Sequence, residues 1–231
     1  MKDLKVSDPI SIVSHQLKNP ISVLKAYIEV LLSGDIGEIN PKQHEYLEDA
    51  LTNIHRMATT VSELLEVSRI EENRVALHPE RVNLSEITRA IVNEFVPLTK
   101  ASNAEVVFVS EKDFYVVADP ARMRDVVENL ISNAIRYKSP SKYGNIEVGM
   151  KEEKGWIVFS CKDNGIGIQK EDKEKVFKKF YRSAEASSLD STGTGLGLYI
   201  NKAIIELSGG EIWLESRQNE GTTVYFKLPK A

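Results

Sequence analysis

The chain has 231 residues, 42% of them apolar and 28% charged, which is enough for one large or two ordinary domains and excludes a disordered or low-complexity protein. Its 30 basic and 34 acidic residues leave a formal net charge of −4, which excludes a global pull toward nucleic acid or an anionic membrane. One cysteine, Cys161, excludes an intramolecular disulfide and a cysteine-rich zinc site; with no signal peptide and no bilayer-length apolar run, a soluble cytoplasmic chain without membrane contact of its own is expected.

The first predicted element is an amphipathic helix over "IVSHQLKNPISVLKAYIEVLL", residues 12–32. Ile10, Val13, Leu17, Ile21, Leu24, Ile28 and Leu31 recur at spacings of three and four, the seam of a coiled coil or helical bundle. At about 100° per residue, His15 falls near the opposite side of the cylinder, with Asn19 one turn further on the same face, so both are expected to meet water. Pro20 cannot donate to the carbonyl of Gln16 and its ring crowds that group, which predicts a bend beside His15. "SGDIGEIN" reads as a loop, after which Asn40 as N-cap, Pro41 at the first helical position and Gln43 as capping-box partner sign a second helix. Leu47, Leu51, Ile54, Ala58, Val61 and Leu65 repeat the bundle spacing. Two helices cannot enclose a core alone, so the all-α hairpin over roughly residues 5–72 is expected to dimerise into a four-helix bundle. The first domain is thus residues 1–75 and the second 76–231.

In the second domain Asn83 and Glu86 form another capping-box signature before a helix reaching about Lys100. "AEVVFVS" and "FYVVAD" read as strands, followed by a helix from Pro120 to about Tyr137 and the strands "NIEVGMKEE" and "GWIVFSCKD", in which Cys161 is expected as buried filler. A lysine-rich segment "QKEDKEKVFKKF" has helical spacing. A helix from about Leu196 to Leu207 and the strands "GEIWLES" and "TTVYFKLP" close the chain. This order predicts an α/β two-layer sandwich with helices over one face of a mixed sheet.

Chemistry concentrates in four stretches of that domain. "ENLISNAIRY" places Asn129 and Asn133 one helical turn apart, where amide oxygens suit a hard cation such as nucleotide-bound Mg²⁺. "DNGIGI" would end a strand at Asp163 in a loop whose Gly165 and Gly167 permit close approach of a ligand; the helically spaced segment after it argues against a hairpin turn. "FKKFYRS" supplies Phe177 and Phe180 as anchors and Arg182 as a phosphate partner. "GTGLGLYINKAII" runs a glycine-rich turn into a helix whose N-terminal N–H groups can hold phosphates. No Walker lysine follows these glycines and the spacing is not that of a dinucleotide fingerprint. His44, His55 and His78 show no metal-site spacing, and Trp156 and Trp213 fall in strands as packing residues.

Taken in order, "SHQLKNP", "NLISNAIRY", "DNGIGI", "FKKFYR" and "GTGLGL" resemble the catalytic core of bacterial sensor histidine kinases, over essentially the whole chain. The resemblance implies a dimerisation and phosphotransfer hairpin ahead of a Bergerat-type ATP-binding domain, with ATP and Mg²⁺ as cofactors and a response regulator receiver domain as partner. By position it implies that His15 accepts the γ-phosphoryl group and that Asn133 coordinates Mg²⁺, with Asn129 lining the same pocket. Arg136 and Tyr137 would lie beside the nucleotide, Asp163 would recognise the adenine amino group, and Arg182 would reach the phosphates from a lid over roughly residues 169–192. Gly193, Thr194, Gly195, Leu196 and Gly197 would form the phosphate loop, and Thr222 would support the adenine pocket. Asn19 stands where this family orients water to dephosphorylate its partner.

One residue departs from the commoner pattern. Gln16 replaces an acid directly after the histidine, and an amide can orient the imidazole but cannot take its proton; a working but slow autokinase is expected. Two other readings stand beside this one. A non-kinase ATPase of the same superfamily is opposed by the hairpin carrying "SHQLKNP"; an ATP-binding scaffold that transfers no phosphate is opposed by the complete nucleotide motifs.

Overall fold

The computed structural model describes residues 9–231, and at residues 9–12, 14 and 15 it describes the backbone alone. The expected outward face of His15 and the buried place of Ile10 therefore lie outside the described side chains. The chain divides into two compact units with the boundary between Val75 and Ala76.

In the first unit helix α1 spans Pro9–Ser33 and runs on through Pro20. Helix α2 spans Pro41–Glu71 and begins with the expected capping box: the Asn40 side chain accepts the Gln43 N–H (2.9 Å) and the Gln43 side chain accepts the Asn40 N–H (2.8 Å). Ile21, Ile54 and Val61 are buried between the helices, with Ile28 and Ala58 packed against them. Three further residues of the α1 stripe are not covered: Val13, Leu17 and Leu24 are 52%, 43% and 48% exposed. Gln16 and Asn19 are also exposed.

The second unit opens with β1 (Glu80–Asn83), a strand absent from the predicted elements, and continues with α3 (Leu84–Ala101), β2 (Ala104–Val109), β3 (Tyr115–Ala118) and α4 (Pro120–Arg136). Then come β4 (Gly144–Glu153), β5 (Trp156–Asp163), two single 3-10 turns (Lys170–Asp172 and Lys175–Phe177), α5 (Ala184–Leu189), α6 (Gly197–Leu207), β6 (Glu211–Arg217) and β7 (Gly221–Pro229). The main sheet has the order β2-β4-β5-β7-β6, with β2 and β4 parallel and the other neighbours antiparallel. The parallel pair requires a crossover, which α4 supplies. β1 and β3 form a separate two-stranded sheet, so "FYVV" does not join the main sheet as its composition suggested. A four-residue strand whose partner lies more than thirty residues away carries no local periodicity by which to find it.

Helices α4 and α6 pack on the sheet. Met123, Val127 and Ile131 of α4, Ile157, Phe159 and Cys161 of β5, and Phe226 and Leu228 of β7 are all essentially inaccessible. Phe159 and Phe226 stack at 4.5 Å across the sheet register. Cys161 is strand filler, as expected, and its burial pushes the thiol pKa far up.

Three local expectations are corrected. Asn83 accepts the Glu86 N–H (3.1 Å), but among the described residues no return bond closes a capping box; Asn83 is also the last residue of β1, in register with Tyr115. The lysine-rich segment makes only the two 3-10 turns rather than an α-helix, because it offers no buried stripe: none of the residues in either turn is buried. Phe180 does not anchor it, being 61% exposed with φ +61°, while Phe177 is half-buried beneath Lys202.

Candidate functional site

Helix α4 begins on Asp119, whose side chain accepts the N–H groups of Ala121 (3.0 Å) and Arg122 (3.2 Å) and also that of His78 (2.9 Å), tying the linker to the helix start. Burial alone would raise this carboxyl, but the three backbone donors hold it below its ordinary range. So fixed, α4 carries Asn129, Asn133, Arg136 and Tyr137 along its last turns. Asn133 Nδ2 donates to Asn129 Oδ1 (3.2 Å), which commits the amide nitrogen of Asn133 and leaves its oxygen for a hard cation. Asn129 in turn lies against Gly197: a Cβ there would stand 2.6 Å from its Nδ2 and 2.7 Å from its Oδ1, so the first residue of α6 has to be small for the asparagine pair to keep its place.

At the end of β5, Asp163 Oδ1 accepts the N–H of Gly165 (2.8 Å) and that of Thr222 (3.2 Å). Burial pushes this carboxyl up to about 6 even though those two bonds favour its ionised form. The loop is held further along by Ile166, whose N–H donates to the Tyr137 carbonyl (3.0 Å), and by Ile168, whose N–H donates to Ser216 Oγ (2.8 Å). Ser216 is a residue that motif reading missed. Its hydroxyl donates to the Gly221 carbonyl (2.9 Å), so the 2.8 Å contact with Thr222 must be a bond donated by the threonine. Asn164 was missed too. It bridges the Asn145 N–H and the Tyr143 carbonyl, each at 2.9 Å. Neither has a sequence signature, since every partner but Thr222 is a backbone group, and Ile168, Asn145 and Tyr143 are distant in the chain. A cavity of about 420 Å³ opens beside Asp163, Ser216, Gly221 and Thr222; its lining includes neither Asn133 nor the glycine loop.

The glycine loop forms the other end of the site. Leu196 is the N-cap of α6 but makes no side-chain cap, so the N–H groups of the first turn keep no partner within the helix. The Leu196 side chain is fully buried and its N–H donates to Thr194 Oγ1 (3.2 Å), so it contributes packing rather than a ligand contact. Gly195 takes φ +71° beside the backbone of Phe180 and Tyr181, and Gly167 lies against the Arg217 carbonyl. A Cβ at Gly193 would stand 3.3 Å from the Arg182 guanidinium and 3.3 Å from the Tyr137 hydroxyl, which brings three predicted residues together. Arg182 Nη2 donates to the carbonyls of Ala186 (3.0 Å) and Asp190, while its buried Nε has no hydrogen-bond partner among the described residues. Arg136 Nε lies 3.4 Å from Asp190 Oδ2.

The donor set fits a nucleotide: a carboxylate for an amino group at one end, and at the other a helix N-terminus with an unsatisfied guanidinium nitrogen and two amides for phosphate and metal. Among the described residues there is no cluster of three or more His, Cys, Asp and Glu that could hold a metal ion. No helix among them is long and apolar enough to cross a membrane.

Comparison with known proteins agrees with both units. Residues 7–73 match the His Kinase A (phospho-acceptor) domain, and residues 118–231 match the Histidine kinase-, DNA gyrase B-, and HSP90-like ATPase family. The sensor histidine kinase WalK of Bacillus subtilis is 33% identical over 220 residues, and WalK of Staphylococcus saprophyticus 32% over 222. Each alignment covers 94% of this chain and 35% of the relative, so the chain spans about a third of the length of these proteins. Among solved structures, full-length ShkA in complex with AMPPNP shares the fold (TM-score 0.80, 18% identity, 97% of this chain and 46% of that one). The catalytic domain of histidine kinase ThkA is 32% identical with a TM-score of 0.58, covering 66% of this chain and 96% of that domain. With a phospho-acceptor hairpin and a histidine kinase ATPase fold matched in order along one polypeptide, the chain belongs to the bacterial sensor histidine kinase family.

Proposed function

We propose that this chain is the cytoplasmic catalytic core of a two-component sensor: it phosphorylates itself on His15 from Mg-ATP, hands the group to an aspartate of a response regulator, and removes it again with help from Asn19. The observation that carries the reading is the buried Nε of Arg182, without a hydrogen-bond partner among the described residues, beside Gly193 and the uncapped start of α6, donors aligned to receive an anion. The exposed apolar residues Val13, Leu17 and Leu24 support a homodimer through residues 5–72, since a second hairpin would cover them.

Asp163 accepts the adenine amino group, with Thr222 and Ser216 holding its loop. Asn133 supplies an oxygen to Mg²⁺ and Asn129 fixes that oxygen's direction. When bound, the metal supplies charge neutralisation on the phosphates. Arg182 and the N–H groups of the glycine loop, apart from that of Leu196, which donates to Thr194 Oγ1, receive the rest of the phosphate charge. His15 gives the lone pair of its unprotonated ring nitrogen to the γ-phosphorus; the bond to the β,γ-bridging oxygen breaks, ADP leaves with that electron pair, and the proton on the other ring nitrogen passes to water because Gln16 is not a base.

Incubation with γ-labelled ATP and Mg²⁺ tests the reading: the label on the protein is expected to be acid-labile and alkali-stable. Absence of label with nucleotide binding intact would replace the kinase by an ATP-binding scaffold. In the same assay Gln16→Glu is expected to raise the initial rate by roughly tenfold or more, as general-base help of about 10² to 10⁴ is partly restored. An unchanged or lower rate would mean that proton removal does not limit transfer.

The pH dependence of binding follows from Asp163. Its pKa in the folded domain, about 6, lies above the ordinary value, so the stability that its neutral form contributes is fully present below about pH 4 and lost as pH rises through 6. Adenine binding runs the other way, because the ionised carboxylate is the better acceptor. Adenosine carries no phosphate to titrate, and its affinity is expected to fall as pH drops through about 6, because binding then releases one proton from Asp163. Calorimetric titration across that range, with Asp163→Asn as the variant that should lose the dependence, measures it directly.

A further inference from the structure

Asp190 lies on the lid, at the end of α5, and was not singled out by any motif. It nonetheless gathers both guanidinium groups of the phosphate end: its Oδ2 lies 3.4 Å from Arg136 Nε, and its backbone carbonyl accepts from Arg182 Nη2. The carboxylate is held in place by the Thr192 N–H, which donates to Oδ1 (2.7 Å), and its side chain is only 17% exposed. The arrangement has the form of an anion site already filled from within. One oxygen meets an arginine and the other a backbone N–H of the segment that leads into the glycine loop, as a phosphate oxygen would. Burial would raise this carboxyl, yet the Thr192 contacts and the charges of Arg136 and Arg182 hold it below the usual range, so it stays ionised at neutral pH.

We propose that Asp190 is an internal competitor for the nucleotide phosphates, pairing with Arg136 and tethering Arg182 until ATP displaces it. This rests on the reading of the site as an ATP site. Three anionic phosphate groups outbid a single carboxylate, and Asp190, released to solvent, carries the α5 end of the lid away from Arg182. Part of the binding energy of the phosphates is therefore spent on breaking this pair, which lowers affinity and links lid position to the charge of the ligand. Adenosine brings no phosphate and leaves the pair intact.

The decisive substitution is Asp190→Asn, which keeps the size of the side chain and an oxygen for the Thr192 N–H while removing the charge. ATP and adenosine affinities are measured by calorimetry for the native chain, for Asp190→Asn, for Arg136→Gln and for the double variant. The expected result is that Asp190→Asn tightens ATP by roughly two- to tenfold, the range of a partly exposed ion pair, with adenosine affinity unchanged. That gain should shrink when Arg136 is already Gln. A parallel change in ATP and adenosine would make Asp190 a purely structural part of the lid, and weaker ATP binding seen only with Mg²⁺ present would make it a metal ligand; either overturns the proposal, as does no change at all. If the native chain binds neither ligand, it is the ATP-site reading that fails.

Discussion

Replacing His15 by Ala is expected to remove the acid-labile label completely, down to the background of a reaction without protein, while leaving ATP affinity within about twofold of the native value. The chemistry is specific. A phosphoryl group on an imidazole nitrogen is lost in acid, because protonating the ring makes it a good leaving group, and it survives in alkali, whereas an ester on a serine behaves in the opposite sense. The other three histidines do not substitute for His15: His44 and His55 are exposed on α2 and His78 lies in the linker, its backbone bound to Asp119. All the residues assigned to nucleotide lie beyond Val75, in the second unit, so binding and transfer separate cleanly in this variant. Label surviving in His15→Ala would mean that phosphate is accepted elsewhere.

Gly165→Ala is expected to have a large effect for a single methyl group. A Cβ at this position would stand 2.3 Å from the Tyr137 carbonyl oxygen and 2.9 Å from Asp163 Oδ1. The first obstacle is backbone at the end of α4, which cannot swing aside as a flexible side chain does. Either the loop retreats or α4 does. Retreat of the loop breaks the bonds from Gly165 to Asp163 (2.8 Å) and from Ile166 to Tyr137 (3.0 Å), which shape the Asp163 end of the site. Overpacking of this kind costs about 1–3 kcal/mol, and tenfold in affinity corresponds to about 1.4 kcal/mol. ATP and adenosine are both expected to bind at least tenfold more weakly, about the energy of one such clash, with a lower melting temperature for the second unit. Calorimetry with both ligands and a thermal melt check this. Gly197→Ala should be milder, because the atoms it meets belong to the Asn129 amide, which can turn away at the cost of the Asn129 to Asn133 bond.

Much of the site could be read before any coordinates because its residues are grouped by short-range necessity. Asn129 and Asn133 share a face of one helix turn, and Asp163, Gly165 and Gly167 share one strand-to-loop transition. Helical signals were legible where they were strong, as at Asn40 and Gln43, and misleading where spacing had no burial behind it, as in residues 169–180. Phe180 shows the same limit: an aromatic residue next to a predicted ligand read as an anchor, but it is turned to solvent.

By itself the sequence determined the helical hairpin with its two stripes, the α/β order of the second unit and the family, and it named the candidate residues of the site. These follow from spacing along the chain, where periodicity and turn chemistry act over a few residues. Only the tertiary structure decided that β1 pairs with β3 outside the main sheet, that Ser216 clasps Ile168 and Thr222, that Asn164 ties β5 to the start of β4, and that Asp190 reaches Arg136 from the lid. The physical reason is common to all four. Each includes at least one pairing between groups 19 or more residues apart, and a hydrogen bond or ion pair of that kind leaves no period in the sequence from which it could be read.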